Sequence, residues 1–136
     1  MADQCVFCMI AGGKIPSAKV YEDSQFFAFL DINPVNKGHT LLITKRHAAT
    51  LFELNQQELQ NMGILIQSIA KGVYRATKPE GIKIEQRNGR AAGQVVDHVH
   101  FHIVPRYNGD SEHKTTKYSS PQEAEQLARA IANNLH

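Results

Sequence analysis

The 136-residue sequence predicts an α+β fold: a mostly antiparallel sheet with one long central helix and one C-terminal helix. Three observations carry this. Short apolar runs come in hairpin-like pairs. The stretch Gln56–Thr77 keeps apolar residues at helical spacing. From His98 to Ile103, histidine and apolar residues alternate strictly. Hairpins with helices between unlike units favour antiparallel pairing over repeated βαβ crossovers.

Taken in order, Cys5–Ala11 reads as a short helical turn ended by Gly12-Gly13. Lys19–Tyr21 and Phe26–Asp31 read as strands joined by the Glu22-Asp23-Ser24 turn, and His39–Thr44 is a β-favouring run preceded by Pro34 and Gly38. In the central helix, Leu59, Met62, Ile66, Ile69 and Val73 define the apolar stripe. Asn55 caps it, with Glu58 three residues on completing a capping box. Gly81–Gln86 is a further strand, followed by a glycine-containing loop and the histidine strand. After the polar stretch Asn108–Ser120, Pro121–Leu135 is a final helix with Ala124, Leu127, Ala128, Ile131 and Leu135 on one side. The chain reads as one domain, 1–136, with a core over 4–107 and a C-terminal loop and helix over 108–136. Neither repeats nor low-complexity blocks interrupt it.

A net charge of +2 argues against a protein that grips nucleic acid through phosphates, without excluding single nucleotides. No run approaches transmembrane length, so no membrane partner is expected. The start Met1-Ala2-Asp3-Gln4-Cys5 lacks a basic region leading into an apolar core, and no signal peptide is expected. Two cysteines point to a reducing, cytoplasmic compartment.

In a strand, His98, His100 and His102 share one face while Val99, Phe101 and Ile103 fill the other. Residues two apart lie roughly 6.6 Å apart and residues four apart roughly 13 Å. Neighbouring histidines can share one metal; all three would need a bulge or bend. A division of labour is the more natural reading: one histidine as nucleophile or base, its neighbours as positioner and ligand. Cys5-Val6-Phe7-Cys8 is a C-x-x-C motif open to three readings: buried small hydrophobes, a redox pair, or half of a metal site. Two thiolates with two imidazoles suit tetrahedral zinc, and His47 and His98 are the candidates to complete the set.

Residues 98–104 match His-φ-His-φ-His-φ-φ, with φ apolar, and on this motif the chain resembles the histidine triad (HIT) superfamily. Gly93-Gln94-Val95-Val96 and Asp31-Ile32-Asn33-Pro34-Val35-Asn36-Lys37-Gly38-His39 are similar to the family's other segments, and the likeness spans about residues 4–107. It implies a HIT-like fold, a two-fold homodimer with sheets joined across the interface, and a nucleotide hydrolase. Its substrates would be purine nucleotide derivatives cleaved at the α-phosphate: phosphoramidates, adenylates or dinucleoside polyphosphates. Zinc-containing microbial branches hold the metal through a C-x-x-C, a distant histidine and the first triad histidine. Here those are Cys5, Cys8, His47 and His98, in a closed and therefore structural site.

The resemblance further implies that His100 is the nucleophile, forming a covalent nucleotidyl-histidine that water then cleaves. The carbonyl of His98 would set its tautomer, and His102 would stabilise phosphoryl charge. Asp31 would accept the ribose hydroxyls, with Phe7, Ile10, Phe29 and Ile32 lining the base pocket. Gly93 and Gln94, in the Gly89–Gly93 loop region, would offer donors to phosphate, and His39 would support the site. Two departures stand out. Val95 replaces a frequent serine or threonine, and Arg87, beside Asn88, stands where many members have an amide. Arg87 would act as a charged clamp or face solvent. The sequence holds no tryptophan, so the C-terminal tryptophan of some eukaryotic phosphoramidases has no counterpart. His113, with Lys114 and Lys117, is expected to be solvated, and His136 is assigned no role. The competing readings are a non-catalytic nucleotide-binding or scaffold protein, and a metalloenzyme using the whole triad as ligands.

Overall fold

The computed structural model describes residues 4–111 and 114–136, and the reading of His113 falls outside them. The elements run α1 (Val6–Ala11), β1 (Lys19–Glu22), β2 (Phe26–Leu30), β3 (Thr40–Thr44), α2 (Gln56–Thr77), β4 (Gly81–Gln86), β5 (His100–Arg106) and α3 (Pro121–Ala132). Five strands form one sheet in the order β1-β2-β3-β5-β4, every neighbouring pair antiparallel. This is the α+β architecture expected from the sequence.

Both faces of the sheet are covered, so β2 and β3 are buried throughout rather than alternating between buried and exposed. On one face α2 and α3 pack against Phe26, Ala28, Leu30, Leu42, Val99 and Ile103. On the other, α1 lays Phe7 over Phe27, Phe29, Leu41 and Ile43. The period of two thus sends Val99 and Ile103 to the helices and the histidines to the α1 face.

Several boundaries differ from the sequence reading. The histidine strand begins at His100, because the Val99 N–H donates to Ala48 O at 2.7 Å instead of entering the ladder. His98 therefore sits just before the strand. α2 has the expected limits, and its Asn55–Glu58 capping box is formed. Its buried stripe is Glu58, Met62, Leu65, Ile69, Gly72 and Val73; Leu59 is exposed. Glu58 tolerates its position because the Arg46 guanidinium donates to both of its oxygens, at 3.0 and 2.7 Å. α3 stops at Ala132 with Asn133 as its cap, although Leu135 still packs on the core. Gly72 lets α3 approach: a Cβ there would lie 2.8 Å from Ile131 O.

The polar stretch after β5 is tied down where described. Asp110 accepts from Asn36 Nδ2, Arg106 Nε and the Tyr107 N–H, and Thr116 N–H donates to Pro34 O. Among the described residues, no helix is long and apolar enough to cross a membrane.

Candidate active site and metal centre

The three histidines separate into three environments. His98 is fully buried, and its Nε2 donates to Thr44 O at 2.7 Å. The neutral ring therefore carries its proton on Nε2, leaving an Nδ1 lone pair. That lone pair points at Cys5 Sγ (3.3 Å) and Cys8 Sγ (3.4 Å), while His47 Nδ1 lies 3.2 Å from Cys8 Sγ. All four ligand atoms lie within 4.8 Å of one another. Tetrahedral zinc with Zn–S of about 2.3 Å and Zn–N of about 2.05 Å requires sulfur–nitrogen edges of roughly 3.6 Å. The cluster is within a few tenths of an ångström of that, so these residues fit a metal. Cys5 also caps α1, accepting from the Cys8 N–H, which sets both thiols on one side. Burial and the neighbouring Cys5 thiol push the Cys8 thiol up to about 11, so a thiolate here calls for a cation.

His100 Nδ1 lies 2.6 Å from the carbonyl of His98, so Nδ1 donates and Nε2 keeps its lone pair. Phe7 braces the ring edge-on, with centroids 5.0 Å apart. Burial lowers the pKa of His100, keeping it neutral.

His102 Nδ1 lies 2.9 Å from His39 Nε2. His39 Nδ1 in turn accepts the Val35 N–H at 3.1 Å. Neutral His39 must therefore carry its proton on Nε2 and donate it to His102 Nδ1, which leaves His102 protonated on Nε2. Burial lowers both rings to about 4. Asp31 Oδ2 lies 3.7 Å from His39 Nε2, and the three ligand atoms of Asp31, His39 and His102 also fall within 4.8 Å. This group does not suit a metal, because the His39 nitrogen that would bind it holds a proton fixed by the backbone. The readings in which all three triad histidines gather on one ion do not match this division.

The remaining sequence candidates distribute as follows. Asp31 Oδ1 accepts the Asn33 N–H at 2.9 Å, and burial raises its carboxyl pKa. Phe7 and Phe29 are buried and packed edge to face, Ile10 flanks them, and Ile32 is 78% exposed. Asp31, Ile32 and Asn33 also line an open cavity of about 520 Å³ together with Tyr118 and the start of α3. The Gln94 amide is committed inside its loop: Nε2 donates to Ala49 O and Val96 O, and Oε1 accepts from the Gly89 N–H. The N–H groups of Ala92, Gly93 and Gln94 are likewise bonded within the loop. Asn88 accepts the Leu51 N–H and exchanges hydrogen bonds with Gln86, so it clamps the loop base. Val95 is 77% exposed. Arg87 does not simply face solvent: Nη2 donates to Glu85 Oε1 at 3.1 Å, and the side chain lies against Gly93. Sequence reasoning missed Glu85, Thr44 O and the Val35 N–H. Glu85 was findable from the β4–β5 register, which sets it opposite His102. The two backbone groups leave no mark in a motif.

The HIT domain family model matches residues 12–109. An adenosine 5′-monophosphoramidase of Schizosaccharomyces pombe is 40% identical over 134 residues, covering 96% of this chain and 98% of that protein. A HIT-like protein of Methanocaldococcus jannaschii is 50% identical over 110 residues, 79% of this chain and 83% of its own length. Among solved structures, a zinc-bound histidine triad family protein from Mycobacterium smegmatis superposes with a TM-score of 0.85 at 35% identity, covering 98% of this chain and 96% of that one.

Proposed function

The chain belongs to the HIT domain family, and on that premise we propose that it hydrolyses purine nucleotide derivatives at the α-phosphate through a nucleotidyl-His100 intermediate. The observation that carries this reading is the 2.6 Å contact from His100 Nδ1 to the His98 carbonyl, which leaves Nε2 as a neutral, oriented nucleophile. His102 Nε2–H donates to a phosphoryl oxygen as charge builds. Asp31 Oδ2 accepts the ribose hydroxyls, and Ile32 with the Phe7–Phe29–Ile10 wall takes the base. Arg87, Gly93, Gln94, Val95 and Asn88 frame the phosphate side. The likeness to named adenosine 5′-monophosphoramidases supports adenosine as the nucleoside.

Zinc is the metal proposed for Cys5, Cys8, His47 and His98, on the donor set and on the likeness to a zinc-bound relative. When bound, it supplies a structural cross-link between α1 and the segment leading into β5. The chain acts in a cytoplasmic setting as a homodimer, built on the exposed β4 edge with Ile84 and the exposed Leu59, Ile64 and Tyr74 of α2.

The test is a rapid quench with a labelled adenylate or adenosine phosphoramidate. Label is expected on His100 and is expected to be absent from His100→Ala. Unchanged turnover in His100→Ala without any trapped label would favour the non-catalytic binding module instead.

A further inference from the structure

We propose that residues 116–123, leading into α3, strap the Asp31–His39 loop in place, with Tyr118 as a positioning residue. The strap keeps the His39 proton on Nε2, and so keeps an N–H of His102 facing the substrate. The inference rests on the hydrolase reading and gives that site a support from outside the 12–109 stretch matched by the family model.

The loop from Asp31 to His39 carries two groups of the site and contains neither helix nor strand. Its ends are joined, the Asp31 N–H donating to His39 O at 2.9 Å. Its middle is held from outside. The Thr116 N–H donates to Pro34 O at 2.7 Å, Lys37 Nζ pairs with Glu123 Oε2 at 2.7 Å, and the Gly38 N–H donates to the Tyr118 hydroxyl at 2.9 Å. Between these, buried Asn36 donates to Pro105 O and to Asp110 Oδ2, each at 2.8 Å. Gly38 has φ +105°, and a Cβ there would lie 2.7 Å from Thr77 Cγ2. Glycine therefore lets the loop press on the end of α2 while its N–H turns to Tyr118. Tyr118 is itself anchored: its ring packs on the core and lines the open cavity beside Asp31, Ile32 and Asn33. Burial raises its pKa, and the Glu123 and Asp31 carboxylates act in the same direction, so the hydroxyl stays neutral.

What the strap controls is a tautomer. Val35 lies between two tied residues, Pro34 and Asn36, and its N–H occupies His39 Nδ1 at 3.1 Å. Once Val35 swings away, neutral His39 can carry its proton on either nitrogen. In the Nδ1–H form, its Nε2 becomes an acceptor facing His102 Nδ1 across 2.9 Å. His102 must then hold its proton on Nδ1 and turn a bare Nε2 lone pair toward the phosphoryl oxygens. A donor is exchanged for a repulsion at the point where charge builds, with no heavy atom of His102 moved.

The experiment combines ring-nitrogen NMR of isotopically labelled histidine with steady-state kinetics on adenosine 5′-phosphoramidate, using the full-length, zinc-loaded chain. Wild-type His39 should be a single Nε2–H tautomer. Tyr118→Phe removes the hydroxyl and Thr116→Pro removes the N–H. Each should give mixed tautomers at His39 and lower kcat roughly 10-fold, the low end for groups that orient an active imidazole. Thr116→Ala keeps the N–H and should restore kcat. In a His39→Gln background, Tyr118→Phe should change kcat by no more than about 2-fold, since both act through one ring. An unmixed His39 tautomer in Tyr118→Phe, or an equal loss of kcat in both backgrounds, would make the strap merely structural and overturn the inference. If the wild type turns over no nucleotide and leaves His100 unlabelled, the hydrolase reading falls. The tautomer mixture would then still support the strap, and its absence would still overturn it.

Discussion

The two clusters flanking His100 use similar residues toward opposite ends. Cys5, Cys8, His47 and His98 converge four ligand atoms within 4.8 Å, and so do the three of Asp31, His39 and His102. In the first, the His98 Nε2–H is occupied by Thr44 O, so a lone pair faces inward. In the second, the Val35 N–H occupies His39 Nδ1, so a proton faces inward. One end is suited to a cation and the other to passing a hydrogen bond. The difference is not in the residue types but in which backbone group meets the far nitrogen of each ring.

The sharpest break of this comparison is at its midpoint. His100→Ala should lower kcat by about 10⁴-fold or more, the scale for removing a nucleophile, in a steady-state assay on any accepted nucleotide. Next is metal removal. Chelation should lower the melting temperature by about 10 °C or more, and zinc should restore it with one ion per chain by elemental analysis. Two ions per chain would mean that the Asp31 cluster also binds metal, against the proton placement argued above. Third, His39→Gln should lower kcat roughly 10–100-fold without changing zinc content, because it removes the group that orients His102.

Acid titration probes the Asp31 end more gently. His39 and His102 sit at about 4 in the folded chain, lowered by burial, whereas an unfolded histidine titrates near 6.5. The unfolded state thus takes up protons first as pH falls. The stabilisation is fully present above about pH 6.5 and is lost progressively toward pH 4. Melting temperature measured from pH 7 to 4 should fall across that window, and less steeply in His39→Gln. Last, Gly72→Ala should destabilise by about 1–3 kcal/mol, since its Cβ would press on Ile131 O, while kcat stays as in wild type. A loss of activity there would mean that the α2–α3 contact communicates with the histidine face.

Much of the fold was legible because its patterns are local. The α2 limits and capping box follow from residues three and four apart, and the face assignment of Val99 and Ile103 from a period of two. Leu59 misled because helical spacing identifies an apolar stripe without saying which side of it meets the sheet. The start of β5 misled because the Ala48 carbonyl that draws Val99 out of the ladder is remote in sequence.

For the site, the sequence by itself supplied the donor set: which histidines alternate, which cysteines share a turn, and which acid precedes the Asn33-Pro34 bend. Donor identity is written in side-chain chemistry. Only the tertiary structure decided where each proton rests, because that depends on Thr44 O, His98 O and the Val35 N–H, backbone groups every residue possesses and no motif distinguishes. It alone also folded Arg87 onto Gly93, since that approach needs the β4–β5 connection to turn back on itself at Gly89 and Gly93, both at positive φ.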